Sequence, residues 1–187
     1  MEDKEKLKDI NQLSKSCVHI YCGDGKGKTT AALGLAVRAA GRGKKVMIVR
    51  FLKNDDSGEV SILNNIPNIL VKPCKKTYGF FFQMTKNQKK EAKQYYQALF
   101  HEAWNQVIED EYDLLVLDEI MAVCNYGLVS EEEVISCLCR RPFFLEVVMT
   151  GRNPSHELLE MADYISEIQK RKHPYDRGLS AREGIEY

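Results

Sequence analysis

Gly23-Asp24-Gly25-Lys26-Gly27-Lys28-Thr29-Thr30 is the stretch that decides how this chain folds. It lies between an apolar run, Cys17 to Cys22, and an Ala- and Leu-rich stretch, Thr29 to Ala40, closed by Gly41 and Gly43. The run reads as a strand and the stretch as a helix. A glycine-rich turn between them makes a cradle for a polyphosphate. Glycines let the backbone point its N–H groups inward, and the helix N-terminus adds positive potential. Lys28 can reach phosphate oxygens, and the Thr29 hydroxyl can ligate Mg²⁺. In the Walker spacing G-x-x-x-x-G-K-[ST] the first glycine would fall at position 22, which is Cys22. Gly23, Gly25 and Gly27 keep the turn feasible. The nucleotide-binding candidates are therefore Gly23, Asp24, Gly25, Lys26, Gly27, Lys28, Thr29 and Thr30.

Outward from this loop, apolar runs alternate with helical patterns, the signature of βαβ units and a mostly parallel sheet. Strands are expected at Lys45–Phe51, Ile69–Val71, Leu114–Leu117, Phe143–Met149 and Tyr164–Ile168. Helices are expected at Ser57–Asn64, Lys86–Glu111, Ser130–Cys139 and Ser155–Met161. The spacing of Ser130 and Glu133 suits a capping box. In the long helix, Tyr95, Leu99, Ala103 and Val107 recur beside Tyr96, Phe100, Trp104 and Ile108, a stripe expected to pack in the core. The fold class is α/β: a P-loop NTPase-like (RecA-like), mostly parallel sheet flanked by helices. Residues 1–15 read as a polar, mobile arm and 16–187 as a single domain.

Asp113-Leu114-Leu115-Val116-Leu117-Asp118-Glu119 is a second signal: an apolar strand ending in two carboxylates, as in a Walker B segment. Groups at the C-terminal end of a parallel strand border the crevice where ligands bind. Asp118 and Glu119 could hold Mg²⁺ there, directly or through water. They could equally be an acidic pair favoured by a helix dipole. Together the two segments define a P-loop nucleotide enzyme, and an ATPase or kinase stays open, because a Glu after the Asp can position water.

Composition bounds the partners. The balance of 27 Lys and Arg against 27 Asp and Glu gives no broad footprint for nucleic acid or an anionic membrane. No apolar run approaches the ~20 residues that span a bilayer. Met1 to Lys15 lacks the apolar stretch of a secretory signal. The six cysteines, Cys17, Cys22, Cys74, Cys124, Cys137 and Cys139, form no C-x-x-C pair, which argues against zinc. A reducing cytoplasm is the simplest reading.

The C-terminal third narrows the class. Met149-Thr150-Gly151-Arg152 is followed by Ala162-Asp163-Tyr164-Ile165-Ser166-Glu167, then by Lys172-His173-Pro174-Tyr175-Asp176-Arg177-Gly178 and Ala181-Arg182-Glu183-Gly184-Ile185-Glu186-Tyr187. With the G-D-G-K-G-K-T-T loop and V-L-D-E, this order resembles the P-loop ATP:corrinoid adenosyltransferases, which act on cob(I)alamin or cob(I)yrinic acid a,c-diamide. The resemblance runs from about Val18 to Tyr187. It implies attack of cobalt(I) on the 5′ carbon of ATP, transfer of the adenosyl group to cobalt, and release of triphosphate. Implied with it are ATP as co-substrate, Mg²⁺, and cobalamin or a precursor such as cobinamide as substrate. A homodimer and a flavoprotein reductase as electron donor complete the set. The nucleotide would lie in the loop in the reverse of the usual P-loop sense.

By this resemblance Lys28, Thr29 and Glu119 carry the catalysis, with Thr29, Glu119 and Asp118 around the metal. Asp24 stands where the family often has Asn, which puts a side-chain donor role in doubt. Arg38 and Arg152 match arginines near the nucleotide, although Arg38 could equally be a solvated helix residue. The family's Gly-Phe-x-aromatic stretch maps onto Gly79, Phe80 and Phe82, where a Trp is more familiar at the last place. It packs beside the corrin and helps remove the lower axial ligand. The alternative is a loop tucked onto the core. His19, in an apolar strand, reads as structural, and His173 has no derivable role. The absence of a D-x-H-x-x-G motif weakens a carrier without catalysis.

Overall fold

The computed structural model describes residues 16–54 and 56–186. The expected N-terminal arm, residues 1–15, lies outside them, as does Tyr187.

Six strands form one parallel sheet: β1 (Val18–Cys22), β2 (Val46–Arg50), β3 (Ile69–Val71), β4 (Leu114–Asp118), β5 (Glu146–Thr150) and β6 (Tyr164–Glu167). Their order across the sheet is β3-β2-β4-β5-β1-β6. Each crossover carries the chain over a face of the sheet, so strands in the middle are covered twice. β2 and β4 are buried at every position, as continuous apolar runs require.

The two faces divide the core. Ala32, Ala36 and Ala40 of α1 (Lys28–Ala40) and Val60 and Leu63 of α2 (Gly58–Leu63) cover Val46, Ile48, Leu114, Val116 and Val148. Alanines at i, i+4, i+8 let α1 approach the sheet closely. The other face, with Met47, Val49, Leu115, Leu117, Val147 and Met149, packs under α3 (Lys86–Glu109). Ala92, Tyr96, Leu99, Phe100, Ala103 and Val107 of α3 are buried there, so the aromatic stripe is core packing. Thr85 opens α3 with a full capping box to Gln88.

Two further helices complete that side. In α4 (Ile120–Asn125), Ile120, Met121 and Val123 are buried; the sequence reading placed only the carboxylates before it. In α5 (Glu131–Cys139), the Ser130 hydroxyl accepts from the Glu133 N–H, while the Glu133 carboxylate pairs with Gln97 and His101 of α3. α6 (His156–Glu160) is capped by Ser155 and buries Leu158. Among the described residues no helix is long and apolar enough to cross a membrane.

Candidate active site

The glycine loop joins the C-terminal end of β1 to the first turn of α1, and the carboxylates end β4, with β5 between the two strands. The end of β5 links them. Asp118 is fully buried, and its Oδ1 accepts from the Thr29 hydroxyl at 2.9 Å and from the Thr150 hydroxyl at 2.6 Å. The Glu119 N–H donates to the Thr150 hydroxyl at 2.9 Å. Glu119 itself adopts φ 62°, in the left-handed region, which starts α4 at an abrupt angle to the strand. The two segments singled out in the sequence are thus one hydrogen-bonded unit.

A residue missed by the sequence reading completes that unit. The Lys53 ammonium lies 2.6 Å from Asp118 Oδ2 and 2.9 Å from the Thr29 hydroxyl. The rule that ligands bind at strand C-termini applies to β2 as it does to β4, and would have flagged the segment after Arg50. Thr29 and Asp118 offer a hydroxyl and a carboxylate, hard oxygen donors of the kind Mg²⁺ takes. A cation already bridges them in this structure, so the pair fits a metal ion. Among the described residues there is no group of three or more His, Cys, Asp or Glu placed to hold a metal.

Lys28 is buried rather than free in solvent, with its ammonium donating to the Gly25 carbonyl at 2.8 Å. Burial pushes its pKa down, and the Arg152 charge nearby pushes the same way; Glu119 and Asp24 oppose them. Arg152, exposed just after β5, also reaches the Asp24 carbonyl at 3.5 Å. Lys28, Arg152 and Lys53 thus gather positive charge around the loop, beside the Asp24, Asp118 and Glu119 carboxylates, which suits a polyphosphate carrying a metal ion.

The tail beyond β6 braces the loop. The Gly25 N–H donates to the Ile168 carbonyl at 2.7 Å, and the Lys170 N–H to Asp24 Oδ1 at 3.0 Å. That second bond holds the Asp24 carboxyl below its ordinary pKa. Asp24 so fixes the tail, consistent with the doubt about a nucleotide-donor role. The Lys26 ammonium bonds the Ile185 carbonyl and the Glu186 carboxylate, each at 3.0 Å. Arg182 joins that pair, and the two cations lower Glu186 to about 2. Thr30 is exposed on the first turn of α1. Arg38 is exposed on its last turn, about 15 Å of helix from Lys28. Its charge is felt by Tyr21 of β1.

The aromatic segment forms a 3-10 turn, Phe81–Gln83. Phe81 turns inward and stacks on Tyr126 at 4.4 Å between ring centroids, and the Lys89 ammonium lies over the Phe81 ring, 4.3 Å from its centroid. Phe80 and Phe82 stand 77% and 81% exposed. The alternative of a loop tucked wholly onto the core applies to Phe81 only. Tyr126 caps the C-terminus of α4, the six-residue helix that begins after Glu119. One element about 9 Å long thus joins the carboxylates to the exposed rings. Asn125 ties its far end to the Arg152 and Asn153 carbonyls.

The histidines fall outside this arrangement. His19 pairs with Glu146 and stacks on Tyr164 at 4.5 Å, a structural role that ties β1 to its neighbours β5 and β6. His173 Nδ1 accepts from the Tyr175 N–H and opens the 3-10 turn Pro174–Arg177.

Loop, carboxylate strand and parallel sheet define a P-loop NTPase-like α/β fold. The cytoplasmic domain of EssC shares this fold, with TM-score 0.53 at 15% identity, over 91% of this chain and 34% of that one. Residues 14–187 match the family described as ATP:corrinoid adenosyltransferase BtuR/CobO/CobP. The corrinoid adenosyltransferase of Escherichia coli (strain K12) is 35% identical over 181 residues, covering 94% of this chain and 88% of that protein. The corrinoid adenosyltransferase CobA of Salmonella typhimurium (strain LT2) is 35% identical over 177 residues, with the same coverage. The chain belongs to the ATP:corrinoid adenosyltransferase family and is a transferase.

Proposed function

We propose that the chain transfers the 5′-deoxyadenosyl group of ATP to the cobalt(I) of a reduced corrinoid, in adenosylcobalamin synthesis or salvage. The observation that carries this reading is the short α4 link from the Asp118–Glu119 carboxylates to Tyr126, the ring that Phe81 and Phe82 pack against while Phe80 and Phe82 stand exposed. Exposed aromatic rings offer a surface for a large, partly apolar second substrate such as a corrin macrocycle.

Cobalt(I) is a strong nucleophile, so the reaction needs no general base. Its electron pair forms the cobalt–carbon bond as the C5′–O bond breaks, and that bond's electrons leave with triphosphate. The protein must hold C5′ in line with cobalt and stabilise charge growing on the leaving group. Lys28, Arg152 and the loop amides of residues 23–30 suit the second task, with Arg38 a more distant candidate. Thr29 and Asp118 would hold Mg²⁺, with Glu119 beside them; bound there, the ion would neutralise triphosphate charge. The exposed Phe80 and Phe82 rings would lie against the corrin and exclude water as an axial ligand. Residues 16–187 act as one domain in this reading, in a cytoplasmic homodimer supplied with electrons by a flavoprotein.

Purified protein with ATP, Mg²⁺ and chemically reduced cobalamin is expected to yield adenosylcobalamin and one triphosphate per product. Release of ADP and phosphate without a cobalt–carbon bond would contradict the proposal. Phe82→Ala separates the corrin wall from the rest. With cobalt(II) substrate and a reductase, the rate is expected to fall about tenfold, the order set by losing one aromatic contact. With cobalt(I) reduced beforehand the fall is smaller, and the melting temperature stays the same because the ring is exposed. Equal losses in both assays would remove the role given to Phe82.

A further inference from the structure

Lys53 is held in place by its surroundings. Leu52 before it adopts φ 59°, an unfavourable left-handed conformation for a branched residue. Beneath the segment, the buried Arg50 guanidinium donates to the Asn54 carbonyl at 3.1 Å and to the Ser57 hydroxyl at 2.6 Å, and pairs with Glu59. The backbone around Lys53 is therefore anchored on both sides, and its ammonium reaches a carboxylate that is wholly buried.

We propose that Lys53 is a positioning residue that stands in for the divalent cation, closing the Thr29–Asp118 pair to free metal and yielding it only to metal already bound to a triphosphate. This rests on the metal site of the proposed function. The argument is electrostatic. Thr29 and Asp118 together carry one negative charge, and the Lys53 ammonium cancels it. A bare dication can reach the Asp118 carboxylate only by displacing the Lys53 ammonium from it, and it brings no anion for that ammonium to move to. A metal–triphosphate complex arrives with net negative charge, so the same ammonium attracts it and has phosphate oxygens to move to. The protein thereby avoids loading metal without nucleotide, and ATP and metal enter together.

The test uses Mn²⁺ as an EPR-visible probe on the full chain. Without nucleotide, the wild type and Lys53→Arg are expected to bind Mn²⁺ weakly. Lys53→Met, which keeps the stem and removes the charge, is expected to bind it about tenfold tighter or more. Adding Asp118→Asn to Lys53→Met should abolish the gain. Without metal, Lys53→Met should melt below the wild type, because Asp118 is left buried and uncompensated, and Mn²⁺ should restore its melting temperature while leaving the wild type unchanged. If Lys53→Met binds free Mn²⁺ no tighter than the wild type while both bind Mn²⁺ with ATP, the stand-in role is wrong and the metal site survives. If neither protein binds Mn²⁺ even with ATP, the metal site falls and this inference with it.

Discussion

Lys28→Met is expected to lower kcat/KM for adenosyl transfer by about 10²- to 10³-fold, the loss that follows removal of one preorganised charge stabiliser, about 3–4 kcal/mol. The same change should leave the melting temperature equal or higher. Lys28 is 7% exposed, and burial together with Arg152 lowers its pKa. A lysine whose folded-state pKa lies below its unfolded value destabilises the fold while it is charged. That penalty is present at pH below the folded pKa, and it fades as pH rises through the interval between the two values. Methionine preserves the buried stem and removes the penalty. Steady-state kinetics paired with thermal melting check both halves. An active variant would show that the phosphate site is misassigned; an inactive variant that melts much lower would show that the ammonium is structural.

Gly23→Ala should unfold the site rather than disarm it. Gly23 adopts φ 101°, and an added Cβ would lie 2.5 Å from the Ile168 carbonyl oxygen and 3.0 Å from its carbon. Those are backbone atoms of the segment that extends β6 and accepts the Gly25 N–H, so they cannot rotate aside. Strain of this kind costs about 3 kcal/mol, which for a chain of this size lowers the melting temperature by about 6–12 °C. ATP binding should weaken alongside, because the β1 loop and the tail would part. A melting temperature within about 2 °C of the wild type would mean that the loop and the tail are not in this register.

Much of this was readable from the chain. Strand and helix positions followed from continuous apolar runs and from 3.6-residue periodicity, both of which survive without knowledge of partners. The positions of the glycine loop and of the Asp118 strand were legible because each joins a local motif to a defined element end. α4 was not legible: it follows β4 with no turn residue or Ser/Thr cap between them, and its start after Glu119 depends on a left-handed residue that no motif announces. Lys53 was hidden for a different reason. It belongs to the site only because β2 and β4 are neighbours in register, Arg50 opposite Asp118, a fact of topology rather than of local sequence. Likewise, the grip of Lys26 on Glu186 depends on a tail some 160 residues away in the chain. The split of Phe80, Phe81 and Phe82 into two exposed rings and one stacked ring could be anticipated only as a conflict, because three consecutive aromatics cannot all face one core.

The most direct measurement is a crystal structure of the protein with Mg²⁺, ATP and a cobalt(II) corrinoid. The ribose C5′ should point toward the corrin between Phe80 and Phe82, with the triphosphate in the Gly23–Thr30 loop. A γ-phosphate facing an ordered water, with C5′ turned toward the sheet and away from those rings, would contradict it.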